Sequence, residues 1–141
     1  MSPRFVSRLL VALACALLLA GCKKDAQVES VLADFDAFTK EMVGKIDSAP
    51  NPSAGADAAQ AYMDSNKADM QAKLGTLKGL RGFQVSEATQ KKMMERMTEN
   101  AMSVAKLKIK YMNFAMRDPA LSAKFDKLNA DYMALIKSMG E

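Results

Sequence analysis

Histidine is absent from the 141-residue chain, and its absence excludes several kinds of site. Di-iron centres of helical bundles use Glu-x-x-His, haem of the c type uses Cys-x-x-Cys-His, and Ser-His-Asp triads need an imidazole base. The segment from Ser103 to Lys106 fits a Ser-x-x-Lys nucleophile motif, but it lies within a helical pattern and lacks the companion motifs of the enzymes that use it. We therefore expect no catalytic residue, no cofactor and no enzymatic activity.

Cysteine is also scarce, and both copies, Cys15 and Cys22, lie in a segment with the pattern of an export signal. Arg4 and Arg8 precede the apolar run LLVALACALLL at residues 9–19. A run of about a dozen residues is too short for a membrane-spanning helix, which needs about 20. Residues 19–22 then read Leu-Ala-Gly-Cys, which resembles the lipobox of bacterial lipoproteins.

This resemblance implies cleavage before Cys22, a diacylglyceryl group on its sulfur and acylation of the new amine. Residues 1–21 would then be the signal peptide, 22–27 the lipidated cysteine with a short tether, and 28–141 the helical domain. Two or three acyl chains anchor a protein stably, whereas one does not. Lys23, rather than aspartate, follows the cysteine. In a Gram-negative cell this implies the cell envelope, on the periplasm-facing side of the outer membrane.

Removal of residues 1–21 leaves little that could bind nucleic acid or form a disulfide. Cys15 is lost and Cys22 is acylated, so the helical domain has no thiol and must be stabilised by packing alone. Loss of Arg4 and Arg8 lowers the formal charge from +4 to +2. A charge this small argues against a nucleic-acid partner.

Apolar residues at steps of three and four predict four amphipathic helices. Residues 106–110 alternate as a strand would, but they lie within a long helical pattern and are assigned to helix. Ser86 and Asp118, the latter followed by Pro119, are good N-cap residues. The predicted helices cover 25–47, 57–79, 87–117 and 119–138, with loops at 48–56 and 79–85. We expect an all-α, up-down-up-down antiparallel four-helix bundle. The alternative is a three-helix arrangement with the second helix loosely docked.

Two features of these helices bear on packing. The apolar stripe of the third helix comprises Met93, Met94, Met97, Ala101, Val104, Leu107, Tyr111, Phe114 and Ala115. Gly75 and Gly79 have Gly-x-x-x-Gly spacing, and no phosphate-loop motif follows them. They indicate either a close helix approach or a frayed helix end.

Methionine is unusually frequent, with 12 in the chain, and Met93, Met94 and Met97 form a cluster. Stripes at helical spacing usually belong to the core. Methionine also forms adaptable protein-binding surfaces, and thioethers are soft ligands for Cu(I) or Ag(I). Core packing is the first interpretation, a protein- or peptide-binding surface the second, and a soft-metal site at these three residues the third.

The short tether places the start of the first helix near the bilayer, and in an up-down bundle the loop between the second and third helices shares that end. Leu80, Arg81 and Phe83 are therefore candidates for contact with lipid, because basic and apolar side chains together suit an interface. The alternative is that Leu80 and Phe83 cover the end of the core.

These observations predict a lipid-anchored, non-enzymatic envelope protein that binds an envelope protein partner or serves as a scaffold. A periplasmic inhibitor or immunity-type protein, and a binder of soft metal or a small ligand, are the alternatives.

Overall fold

The computed structural model describes the backbone of residues 3–80 and 84–138, and the side chains of residues 24–80 and 84–138. The described residues form helices and the loops between them, with no strand. Its elements are α1 Pro3–Asp47, α2 Pro52–Gly75, α3 Glu87–Lys110, α4 Met112–Ala115 and α5 Pro119–Lys137. The four long helices confirm the predicted all-α bundle.

Side-chain caps fix where three of the helices begin. Ser86 accepts a hydrogen bond from the Thr89 amide and caps α3, and Asp118 caps α5 in the same way, both as predicted. The predicted start of the second helix at residue 57 is wrong. Asn51 Oδ1 accepts from the Ala54 amide at 2.8 Å, and Pro52 suits the first turn, so α2 begins at Pro52.

The first and third helices also differ in length from the prediction. α1 begins at Pro3 rather than at residue 25, because the Leu- and Ala-rich segment upstream favours helix and contains no proline after Pro3. The third helix does not continue to residue 117. It ends at Lys110, where Tyr111 leaves helical geometry at φ −104° and ψ 19°, and the single turn α4 follows.

The long helices form a four-membered ring. α1 packs on α2 and α3, and α5 packs on the same two helices, so α1 and α5 lie on one diagonal and α2 and α3 on the other. Four connecting residues separate α1 from α2, whereas residues 76–86 connect α2 to α3. The longer connection allows the chain to cross the end of the bundle from one diagonal corner to the other.

Ion pairs between helices establish their directions. Lys92 bonds Glu29 and Lys110 bonds Asp47, both at 2.6 Å, so α1 and α3 run parallel. The Asp34–Lys73 pair at 3.0 Å, with Gly55 against Ile46, makes α2 antiparallel to α1. Directions along the chain therefore alternate as predicted, although α1 and α3, like α2 and α5, are parallel neighbours.

A three-residue cluster joins α1 and α3 at their C-terminal ends. Asp47 accepts hydrogen bonds at 2.6 Å from both the Lys110 ammonium and the Tyr111 hydroxyl. These bonds hold the pKa of Asp47 below its ordinary value. The Tyr111 ring also stacks on Phe125, with centroids 5.7 Å apart. The break at Tyr111 thus coincides with contacts to two other helices.

The centre of the core is an aromatic layer that spans the α1–α5 diagonal. Tyr132 stacks on Phe35 and Phe38, with ring centroids 5.5 and 6.5 Å away, and all three are buried. The side chains of Met63 and Leu74 on α2 are also fully buried. The alternative in which the second helix docks loosely is therefore wrong.

The two glycines singled out in the sequence make no close helix contact. A Cβ on Gly75 would meet nothing within 4 Å, and Gly79 adopts a positive φ of 81° after the end of α2. Gly79 lies in the turn that follows α2, in the left-handed conformation that glycine favours. Within the described residues, no helix combines the length and the apolar character that a membrane span needs.

Candidate functional site

An apolar groove runs between α3 and α5 on the outside of the bundle, and it is called the α3–α5 groove below. It offers about 520 Å³ of space. Its wall on α3 comprises Met97, Thr98, Ala101, Met102 and Ala105, and its wall on α5 comprises Asn129, Met133 and Ile136. Three thioethers and few polar groups line it, so an apolar side chain of another molecule would fit its chemistry.

Beside the groove, α3 carries a row of exposed side chains that we call the α3 ridge. It consists of Met94, Thr98, Met102, Ala105 and Ile109. Steps of four, four, three and four place these residues on one helix face. Met94 is 70% exposed, Met102 48% and Ile109 69%. Exposed apolar patches often serve as contact surfaces, so this row is a candidate for one.

The ridge corrects the predicted core stripe of the third helix. Met97, Val104, Leu107 and Ala115 are buried as predicted, and Met93 and Tyr111 pack against the core. Met94 and Phe114 are not core residues, since Phe114 is 56% exposed and Met94 lies on the ridge. Helix α3 is apolar on two faces, and only one of them can point inwards.

Charged residues border the groove and the ridge on both sides. Along the far side of α3, the acidic Glu95 and Glu99 are followed by the basic Lys106. Along the outer edge of α5, Asp126 is followed by Lys137. Glu99, Lys106 and Lys137 are exposed and form no ion pair with the described part of the chain. These three charges are therefore available to another molecule.

The register of the two borders follows from one ion pair. Lys108 Nζ lies 2.8 Å from Asp126 Oδ1, so these residues are level across the antiparallel α3 and α5. Lys137 lies eleven residues beyond Asp126 and is thus level with Met97, eleven residues before Lys108. One end of the groove therefore has Glu95 and Glu99 on its α3 border and Lys137 on its α5 border. The other end has Lys106 and Asp126.

The structure separates the three methionines considered as metal ligands. Met97 is buried and lines the α3–α5 groove, whereas Met93 and Met94 line a smaller pocket near the start of α3. They do not line one common cavity. Among residues 24–80 and 84–138, no three His, Cys, Asp or Glu side chains are grouped so that they could hold a metal ion.

The smaller pocket lies at the end of the bundle where the anchor is expected. It offers about 180 Å³ and is lined by Val28, Leu77, Leu80 and Val85 besides the two methionines. Leu80 is half-buried against the core, while Arg81 and Phe83 lie outside the described residues. Contact of this loop with lipid stays a prediction.

The first helix is tied to this end by Asp25. Its Oδ1 accepts the Ser86 amide at 2.9 Å, and this bond holds the pKa of Asp25 below its ordinary value. The start of the core portion of α1 therefore lies beside the start of α3, as the up-down arrangement predicted. The side chain of Cys22, the predicted lipidation site, lies outside the described residues.

The Ser-x-x-Lys segment has no catalytic geometry. The Ser103 hydroxyl donates to the Glu99 carbonyl oxygen at 2.9 Å, one turn back on the same helix, and both Ser103 and Lys106 are exposed. Neither residue faces the α3–α5 groove.

Sequence reasoning missed the groove and the ridge, although a signal was present. Met94, Met102 and Ile109 recur at steps of eight and seven, which places them on one helix face outside the core stripe. A second apolar stripe on one helix indicates a second contact. The α5 wall could not be found in this way, because it depends on which helices are neighbours.

The chain matches no family model, no curated protein and no solved structure.

Proposed function

We propose that this chain is a lipid-anchored lipoprotein of the bacterial envelope that acts as a non-enzymatic binding module, and that its α3–α5 groove and α3 ridge contact a protein partner. The observation that carries the proposal is the exposure of Met94, Met102 and Ile109 beside an apolar groove. Burial of such a surface by a partner is favourable by about 25 cal/mol per Å² of apolar area.

The orientation of the bundle relative to the proposed anchor supports this assignment. Helix α3 begins beside Asp25, close to the proposed anchor, and runs parallel to α1. A helix of this length extends about 36 Å at 1.5 Å per residue. The groove would therefore stand out from the membrane along the side of the bundle, where a periplasmic or membrane-bound protein can reach it.

The binding surface can be tested by affinity capture from detergent-solubilised envelopes with quantitative mass spectrometry. Met102→Glu places a carboxylate in the contact, and desolvating that charge should reduce capture of the partner at least tenfold. Met116→Glu is the matched control, because Met116 is 77% exposed and does not line the groove. It should capture the partner as wild type does. Equal capture by Met102→Glu and wild type would contradict the proposed surface.

A third variant separates packing from metal binding. Met102→Leu keeps an apolar side chain of similar volume and removes the sulfur, so a protein contact should survive it. Loss of capture in Met102→Leu would instead indicate that the thioether acts as a ligand.

The anchor is tested separately by Cys22→Ala. Acylation needs the cysteine sulfur, so this variant should not incorporate labelled fatty acid and should lose the membrane association of the processed chain. Labelling and membrane fractionation of cells that produce either chain measure both effects. Equal fatty-acid incorporation by the two chains would contradict lipidation at Cys22.

A further inference from the structure

We infer that the partner of the α3–α5 groove is a second copy of this chain, related to the first by a two-fold axis parallel to the helices. The inference rests on the proposed binding function of the groove and names the occupant. Each copy would insert its α3 ridge into the groove of the other.

The first argument is shape. The ridge and the groove lie side by side on one face, and both run along α3, with Thr98, Met102 and Ala105 belonging to both. Rotation by 180° about an axis along the helices exchanges the two sides of the face, so it places each ridge over the groove of the partner. An axis across the helices would place ridge on ridge and groove on groove. Ridge-in-groove packing is the way helices fit together.

The second argument is charge. The same rotation brings the outer border of α3 opposite the outer border of the partner's α5 at the same level along the bundle. Lys137, level with Met97, then faces the pair Glu95 and Glu99 of the other copy. At the other end, Lys106 faces Asp126, which also pairs with Lys108 of its own copy. Opposite charges meet at both ends, and each contact occurs twice by symmetry.

The third argument is the membrane. With the axis parallel to the helices, the two copies point in the same direction and both starts of α1 lie at one end of the dimer. Two lipid anchors could then enter the same bilayer. A crosswise axis would put the two anchors at opposite ends.

The expected contact is modest in size. The ridge from Met94 to Ile109 is about 22 Å long at 1.5 Å per residue. We expect a contact of this length to give only weak association in dilute solution. Anchoring in one membrane raises the effective concentration of the copies. The association should therefore be tested in membranes.

The test uses disulfide cross-linking of the full-length chain in intact cells. Met94→Cys and Ala105→Cys place single thiols on the ridge near the proposed axis, and Ala61→Cys places one on the exposed surface of α2, diagonal to α3. After mild oxidation, the Met94 and Ala105 variants should give at least tenfold more disulfide-linked dimer than Ala61→Cys or wild type. The wild-type chain controls for Cys15 and Cys22.

Charge exchange provides a second measurement in the Ala105→Cys background. Glu99→Lys and Lys137→Glu should each reduce the dimer, and the two together should restore it, since the opposite charges would again face each other. Met102→Glu should abolish the dimer.

Two results would overturn the inference. In a crosswise dimer the two copies of residue 94 would be about 24 Å apart at 1.5 Å per residue, so a dimer at Ala105→Cys without one at Met94→Cys would reject the parallel axis. Absence of both dimers, with capture of a different protein that still depends on Met102, would reject self-association and leave the proposed function intact. Loss of that capture as well would reject both.

Discussion

Tyr132→Ala is expected to destabilise the bundle by about 3–5 kcal/mol, the usual cost of truncating a large buried aromatic side chain. Tyr132 is fully buried and stacks on Phe35 and Phe38. It lies on α5 and these partners lie on α1, so it fills the centre of the bundle across the diagonal. No ring neighbour can move into the space without leaving its own contacts. Urea unfolding of the chain from residue 23, followed by circular dichroism, measures the loss.

The matched control is Tyr132→Phe, which keeps the ring and removes the hydroxyl. The Thr39 hydroxyl donates to the Phe35 carbonyl oxygen at 2.9 Å, so the Tyr132 hydroxyl donates to Thr39, at 2.5 Å. Burial raises the pKa of Tyr132, which keeps the hydroxyl neutral. Loss of this bond should cost about 1 kcal/mol. Equal destabilisation by the two variants would show that the hydrogen bond, and not the ring, is the larger contribution.

The aromatic layer shows what periodicity can predict. Phe35, Phe38 and Tyr132 each lie on the apolar face of their helix, which can be found from the sequence because steps of three and four are set by helix geometry alone. Thr39 could not be assigned to the core, since a threonine is buried only where a partner for its hydroxyl exists. That partner lies 93 residues away on the diagonal helix, and no local pattern contains it.

The order of the helices around the ring was equally beyond local patterns. Alternating directions follow from short connections, and they were predicted. Two ring orders keep α1 beside α2, however, and they differ in whether α2 and α3 are neighbours. The observed order places them on a diagonal. In this order α3 lies between α1 and α5, and the candidate groove forms between α3 and α5. The sequence could therefore indicate the site only as an extra apolar face on α3.

The two faces of α3 illustrate the same limit. Sequence reasoning correctly identified methionine as the unusual residue and considered a binding surface. It assigned Met94 to the core with Met93 and Met97, although Met94 is 70% exposed. Adjacent residues on a helix point about 100° apart. Met93 packs against the core, so its neighbour Met94 points towards the outside of the bundle.

Gly55→Ala is the second substitution with a large expected effect. It should destabilise the chain, whereas the same change at Gly44 should stabilise it. The first turn of α2 passes so close to the end of α1 that a Cβ on Gly55 would lie 2.8 Å from both the Cα and the carbonyl oxygen of Ile46. Both atoms belong to the backbone, so the contact cannot be relieved by a change of rotamer. The helices must move apart, at a cost of about 1–3 kcal/mol.

Gly44→Ala separates this contact from the intrinsic preference for alanine in a helix. Gly44 lies inside α1, and a Cβ there would meet nothing within 4 Å. Alanine should therefore stabilise the chain by about 0.5–1 kcal/mol at this position. Thermal or urea unfolding of both variants should move in opposite directions from wild type. If Gly55→Ala were also stabilising, the close approach of α2 to Ile46 would be absent, and the first turn of α2 would not hold the end of α1 in place.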